Sequence, residues 1–343
     1  MPYLQDEMKR VKARVDDLIL TRILPRTNKI KEVELLYAMM RDYPSRQAKG
    51  MRPFLCVTAC KAAGGKEDDA LLTAACIELF QNWILIHDDI EDGSELRRGE
   101  PALHVKYGPG LALNAGDALH ARMWEALLGN KARLGLAKTF AVMGEFSRMV
   151  NETTEGQHME LGWVVGKRWD LEEKDYYEMC KRKTSWYTVA SPCRLGAIVA
   201  GAGSQVLDVL KEFGVGLGIA FQIQDDALNL VGDQKKYGKA KSDDILEGKR
   251  TLILLHLLAA ASKVERDRVI LIMNKSRESK SQEEVAYVLS LVDKYDAVGF
   301  ARKRATELMK ESMVTLKGIK WKGDKEAAGM LSSFTRFAVE REW

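Results

Sequence analysis

The sequence predicts an all-α protein. Three observations carry that prediction: apolar residues recur at helical spacing in long runs, no stretch reads as a β-hairpin or as alternating strands, and all seven prolines lie at or before Pro192. The second part of the chain therefore contains no strong helix breaker. No linker rich in Pro, Gly or Ser divides the 343 residues. They read as a single domain, 1–343, with many helices around a central cavity or core.

Each element has its own signals. Pro53 suits the first position of a helix, FLCVTACKAA, which Gly64 and Gly65 stop. Asp68 or Asp69 is placed to cap the next helix, ALLTAACIELFQNWILIHDDIED, which ends at Gly93. LNAGDALHARMWEALLGN reads as another helix, and so does SQVLDVLKEFGVGLGIAFQIQDDALNLVG from Ser204 to Gly232. The polar segments GDQKKYGKAKSDDILEGK and NKSRESKSQEE read as loops, the first long enough to form a lid.

Composition narrows the function classes. With 46% hydrophobic and 30% charged residues the chain is of globular type, and a net charge of +4 gives no argument for nucleic acid as a partner. The five cysteines (Cys56, Cys60, Cys76, Cys180, Cys193) form no CxxC pair and are odd in number, which suits reduced thiols. Charges interrupt the N-terminal MPYLQDEMKRVKARVDDLIL, so it is not a signal peptide. The longest apolar run, LILLHLLAAA from Leu252 to Ala261, falls short of the roughly twenty residues that span a bilayer. The expectation is a cytoplasmic protein without a transmembrane segment.

Two helices end in acid pairs, IHDDIED and IQDDALN. Residues four apart share a helix face, so Asp88 and Asp92 stack one turn apart, and Asp225, Asp226 and Asn229 repeat the arrangement. Carboxylates are disfavoured at a helix C-terminus by about 0.3–1 kcal/mol each. Two such penalties are explained if a cation is bound there, and oxygen-only ligands suit Mg²⁺ or Mn²⁺ rather than zinc. A lone DDxxD is ordinarily a solvated helix end. A pair of them, joined by Arg97 and Arg98, by Lys49 and Arg52 at a helix start, and by Lys183, Lys239 and Lys249, describes a cavity for diphosphates.

These residues, taken in order, resemble the trans-isoprenyl diphosphate synthases, most closely the archaeal-type geranylgeranyl diphosphate synthases. The resemblance runs from about Lys49 to Arg250 through KGMRP, DDIEDGSELRRG, NAGDAL, GQHMEL, Lys183-Thr184, FQIQDDALN and GKAKSDDILEGKRT. It implies the isoprenoid-synthase helical bundle, and a prenyltransferase that condenses isopentenyl diphosphate head-to-tail with allylic diphosphates. It implies that Asp88, Asp89 and Asp92, with Asp225 and Asp226 across the cavity, hold about three Mg²⁺ ions on the allylic diphosphate. Arg97, Lys183 and Lys249 would contact that group, with Lys239 closing over it. Lys49, Arg52 and Arg98 would hold the isopentenyl diphosphate. Gln222 and Thr184 would stabilise the allylic cation, and the departed diphosphate would take the final proton. His87 reads as a structural neighbour of Asp88 rather than a base. The resemblance also implies a homodimer.

Four positions depart from the family pattern. Gln81 stands where a histidine commonly contacts the second substrate, and it can donate a hydrogen bond but carry no charge. Asn229 replaces the last acid of the second motif, and Gln47-Ala48 replaces the usual glycine pair.

Product length depends on the helix leading back from Asp88. Ile84 lies one turn below it and Phe80 one turn further. The resemblance implies that bulk at the fifth and fourth positions before the motif forms the floor, here Trp83 and Ile84. An aromatic at the fifth position only is the archaeal pattern, so a twenty-carbon product is expected, with farnesyl diphosphate as the alternative. Periodicity alone does not select Trp83, which an ideal helix turns about 140° from Asp88. A core or interface aromatic is the other reading of Trp83. A terpene cyclase or head-to-head synthase would not need Lys49, Arg52 and Arg98. A non-catalytic partner subunit would not retain both aspartate pairs, and a purely structural helical protein would bind no ligand with Mg²⁺.

Overall fold

The computed structural model describes residues 2–231 and 242–340. It is almost wholly helical and forms two compact units. The first comprises residues 1–149, 187–214 and 315–334, and the second residues 150–186, 215–314 and 335–343.

In the first unit, helices α1 (Pro2–Leu18), α2 (Lys31–Ser45), α3 (Met51–Ala62) and α4 (Glu67–Glu91) precede α5 (Leu103–Tyr107) and α6 (Pro109–Leu128). Helix α3 forms the centre, with every residue from Met51 to Cys60 buried. Close packing there needs small side chains. Gly196 of α9 (Ser191–Ala200) lies against the Cys56 carbonyl, and a Cβ at that position would come within 2.0 Å of it. All five cysteines are free and buried, and burial pushes the Cys60 thiol up to about 12.

Helix α4 is the one described helix long and apolar enough to cross a membrane by composition, and its most apolar stretch is 67% buried inside the protein. Its apolar character serves the core. The helix begins at Glu67 rather than after an aspartate cap, and places Glu67, Asp68 and Asp69 in its first turn. There they complement the helix dipole, and Arg10, Arg14 and Arg133 pair with them. Pro53 likewise falls in the first turn of α3 but not at its first residue, because Gly50 (φ 65°) makes the entry and the helix starts at Met51.

One short hairpin interrupts the helices, contrary to the expectation of none. Leu96–Arg97 pair antiparallel with Glu100–Pro101 across Arg98 (φ 55°) and Gly99 (φ 80°). Positive φ at both central residues is the twist that a two-residue hairpin requires, and glycine supplies the second freely. The signal was only one glycine after two arginines, too short for strand patterning to register.

The second unit holds the end of α7 (Lys131–Val165), α8 (Glu173–Cys180) and the first residues of a π-helical segment, Lys181–Ala190. The later half of α10 (Ser204–Val231) follows, then a one-turn helix, Asp243–Glu247, and the helices Leu252–Ala260, Lys263–Met273 and Gln282–Lys294. Ser262 and Ser281 each accept from the residue three along, and Glu265 and Glu284 return the bond, so both helices open with a capping box.

Candidate active site

In the first unit the acid cluster sits at the C-terminal end of α4. The Asp92 N–H donates to the Asp88 carbonyl at 2.8 Å, which keeps both residues in the last helical turn. Their carboxylates are partly exposed, whereas Asp89 is fully buried. Its carboxylate accepts from the Tyr43 hydroxyl and from the Arg97 guanidinium, whose Nε lies 2.9 Å away. Burial opposes the charge on Arg97, and Asp89 overcomes it, so the guanidinium titrates well above its ordinary value. Arg97 also reaches Asp88 at 3.5 Å.

The hairpin explains why the two adjacent arginines part. Neighbouring residues across the turn point to opposite sides, so Arg97 turns to the acids while the Arg98 guanidinium donates to the Tyr43 carbonyl at 2.9 Å. Arg46 laces the hairpin from α2 by donating to the carbonyls of Arg97 and Pro101, each at 2.8 Å. Arg52, buried in the first turn of α3, lies over the Tyr187 ring at 4.4 Å and donates to the Thr188 hydroxyl at 3.0 Å. Lys49 and Gln81 are half-buried.

Trp83 is 7% exposed and stacks on His120 of α6, with ring centroids 3.9 Å apart. Phe80 meets its edge at 5.5 Å and is itself fully buried, while Ile84 is half-buried. The glycine of NAGDAL makes room for His87, since a Cβ on Gly116 would come within 2.5 Å of the His87 ring. His87 Nε2 lies 3.5 Å from Asp117.

The second unit repeats the pattern of the first. Asp226 is 6% exposed and accepts from the Tyr176 hydroxyl and from the Gln222 amide, both at 2.7 Å, while Asp225 is half-buried. Burial pushes the Asp226 carboxyl up to about 7 against both hydrogen bonds. The Thr184 hydroxyl donates to Gln222 at 2.6 Å, so Thr184, Gln222 and Asp226 form one chain of hydrogen bonds. Thr184 belongs to the π-helical segment, whose extra residue per turn opens its ladder.

The GQHMEL block fits against that segment. A Cβ on Gly156 would approach the Lys183 nitrogen to 2.1 Å, so only glycine allows the backbones to touch. One turn on, the carboxylate of Glu160 pairs with the Lys183 ammonium. Lys249 pairs with Glu247 at 2.6 Å. Asn229 is buried and holds the following segment instead of pointing an acid outward: its side-chain oxygen accepts from the Asp244 N–H at 3.2 Å. Lys239 lies outside the described residues.

Tyr43, Tyr176, Arg46, Glu160 and Glu247 were not singled out by the sequence. A lone tyrosine carries no motif, and only the GQHMEL block, which holds Glu160, and the GKAKSDDILEGKRT block, which holds Glu247, pointed to any of the five. Among the described residues no three His, Cys, Asp or Glu side chains converge as a ready-made metal site.

Residues 33–292 match the family model described as polyprenyl synthetase. The chain belongs to the polyprenyl synthetase family. It is accordingly a prenyltransferase with the isoprenoid-synthase fold. This polyprenyl synthetase is 35% identical over 294 residues to a short chain isoprenyl diphosphate synthase of Methanothermobacter thermautotrophicus, covering 86% of each chain. It is 34% identical over 302 residues to a geranylgeranyl diphosphate synthase of Saccharolobus solfataricus, covering 85% of this chain and 86% of that one. The crystal structure of geranylgeranyl pyrophosphate synthetase from Pyrococcus horikoshii superposes with a TM-score of 0.85 at 31% identity over the whole of both chains.

Proposed function

We propose that the 343 residues act as one geranylgeranyl diphosphate synthase domain that extends allylic diphosphates with isopentenyl diphosphate. The observation that supports the chemistry best is the matched construction of the two acid pairs. In each, one aspartate is buried against a tyrosine and its neighbour is half-buried. The half-buried acids, Asp88 and Asp92 in one unit and Asp225 in the other, offer in each unit oxygen donors that are too few to enclose an ion by themselves. That suits Mg²⁺, which keeps waters and takes phosphate oxygens as its remaining ligands. Asp89 and Asp226 then act as anchors of the two helix ends rather than as ligands, a change from the roles the resemblance implies.

Bound Mg²⁺, in about three positions by family resemblance or replaced by Mn²⁺, would neutralise phosphate oxygens as charge develops on the leaving diphosphate. Lys183, Lys249 and Arg97 hold the same diphosphate from the protein side, with Lys239 as a further contact. The allylic C–O bond breaks, and the double bond of isopentenyl diphosphate attacks the resulting carbocation. Thr184 and Gln222 present oxygen dipoles toward that positive charge. Loss of a proton to the departed diphosphate restores a double bond. Lys49, Arg52 and Arg98, with Gln81, hold the second substrate.

Trp83, packed between Phe80 and His120, supports a floor at the fifth position before Asp88 and hence a twenty-carbon product. Exposed Val105, Leu111, Leu113 and Phe140 on α5, α6 and α7 support a homodimer, which we propose to be cytoplasmic.

The test is a product assay on the purified protein. Isopentenyl diphosphate is supplied with dimethylallyl, geranyl or farnesyl diphosphate, with Mg²⁺ or a chelator, and the alcohols are sized after dephosphorylation. Metal-dependent geranylgeraniol is expected. Farnesol would keep the chemistry and overturn the chain-length assignment, and no product with any primer would overturn the reading.

A further inference from the structure

The segment NKSRESKSQEE, which reads from sequence as a polar connector, grips the segment that carries Lys249. Arg277 donates to Asp243 at 2.6 Å and to Glu247 at 3.3 Å, so it spans the one-turn helix Asp243–Glu247 from first residue to last. Lys280 is 9% exposed and donates from its ammonium to the Leu246 carbonyl and to the Lys275 carbonyl, each at 2.7 Å. Leu246 is one of the carbonyls left open at the C-terminal end of that helix, where a cation is favoured. From the opposite side Asn229 accepts from the N–H groups of Asp244 and, through its own carbonyl, Ser242.

Lys249 follows directly on this clamped turn, after Gly248 in the left-handed region at φ 76°. Its N–H donates to the Asp244 carbonyl at 2.9 Å, and its ammonium lies 2.6 Å from the same Glu247 carboxylate that Arg277 holds. Glu247 is thus shared between the two cations, and its side chain is 5% exposed. A carboxylate fixed by a guanidinium on one side leaves little freedom to an ammonium on the other.

We propose that Arg277, with Lys280, is a positioning residue for Lys249, and so sets how the enzyme holds the diphosphate of its allylic substrate. This rests on the reading of Lys249 given above. Arg277 touches no substrate itself. It fixes Glu247, Glu247 fixes the direction of the Lys249 side chain, and Lys280 fixes the backbone from which that side chain starts.

The experiment separates the two substrates. In Arg277→Met the KM for the allylic diphosphate is expected to rise about tenfold while the KM for isopentenyl diphosphate stays within about twofold. Arg277→Lys, which can still reach one acid, recovers part of the loss. Should Arg277→Met fail to fold, Glu247→Gln keeps the side-chain shape and is expected to show the same split. Equal changes in both KM values, or no change in the allylic KM, overturn the inference while leaving the enzyme's activity established. A wild-type protein without condensation activity overturns the reading of Lys249 and this inference with it.

Discussion

The hydroxyl of Tyr176 donates to the carboxylate of Asp226 at 2.7 Å, and Tyr43 makes the same bond to Asp89. In both acid-bearing helices the second aspartate is buried against a tyrosine, and the first is only half-buried. Removing the Tyr176 hydroxyl leaves a buried carboxylate with one donor fewer, a loss of about 1–3 kcal/mol. Tyr176→Phe is therefore expected to lower the urea midpoint, with the Mg²⁺ concentration for half-maximal activity unchanged. A large shift in that concentration would make Asp226 a ligand after all.

The two aspartates of the first pair are expected to fail differently. Asp88→Asn and Asp92→Asn should lower kcat/KM by about 10²-fold or more and raise the Mg²⁺ requirement, with little change in melting temperature. Asp89→Asn instead takes from the buried Arg97 its closest anionic partner and leaves it only Asp88 at 3.5 Å. That costs about 3–5 kcal/mol and should appear first in thermal unfolding.

Trp83→Ala removes a ring packed against Phe80 and His120 and is expected to cost about 3–5 kcal/mol. The residual activity should yield a longer prenyl alcohol than wild type. If the variant stays active and the alcohol keeps its length, Trp83 is a packing residue only.

Glu78 gives a dependence on pH. It is 3% exposed on α4, and one carboxylate oxygen has no hydrogen-bond partner. Burial raises its pKa, against the opposing pull of Arg98, Arg52 and Lys12. The folded protein thus keeps this proton at pH values where the unfolded chain has lost it. Stability contributed by the group is present below the unfolded value of 4.5 and is lost as pH rises through the raised one. Glu78→Gln removes the dependence. Melting curves should show the variant gaining on wild type from pH 5 to pH 8, and a constant difference across that range would refute the assignment.

Much of the site was legible because it is written locally. Asp88 and Asp92 share a helix face by their spacing, and Arg97 follows within a few residues, so charge pattern alone marked the cluster. The finer placement was not local. Asp88, Asp89 and Asp92 look alike in sequence, and only burial separates Asp89 from the other two. The cap expected at Asp68 or Asp69 is not made: the helix starts ahead of both, at Glu67, because acids in a first turn are favourable without acting as caps. The hairpin at Arg98-Gly99 escaped notice because two-residue strands have no periodicity to read.

By itself the sequence determined the helical class, the positions of both acid motifs and the order of motifs that marks the family. Helical period, proline placement and carboxylate spacing act over a few residues, so each can be read from one stretch of chain. The tertiary structure decided which aspartate of each pair is buried and which keeps some exposure. That choice depends on tyrosines 46 and 50 residues away, on glycines that admit a neighbouring backbone, and on Arg277 reaching the Lys249 segment. Contacts between residues so far apart in sequence form only when helices pack, and packing is set by shape and burial, which no local pattern encodes.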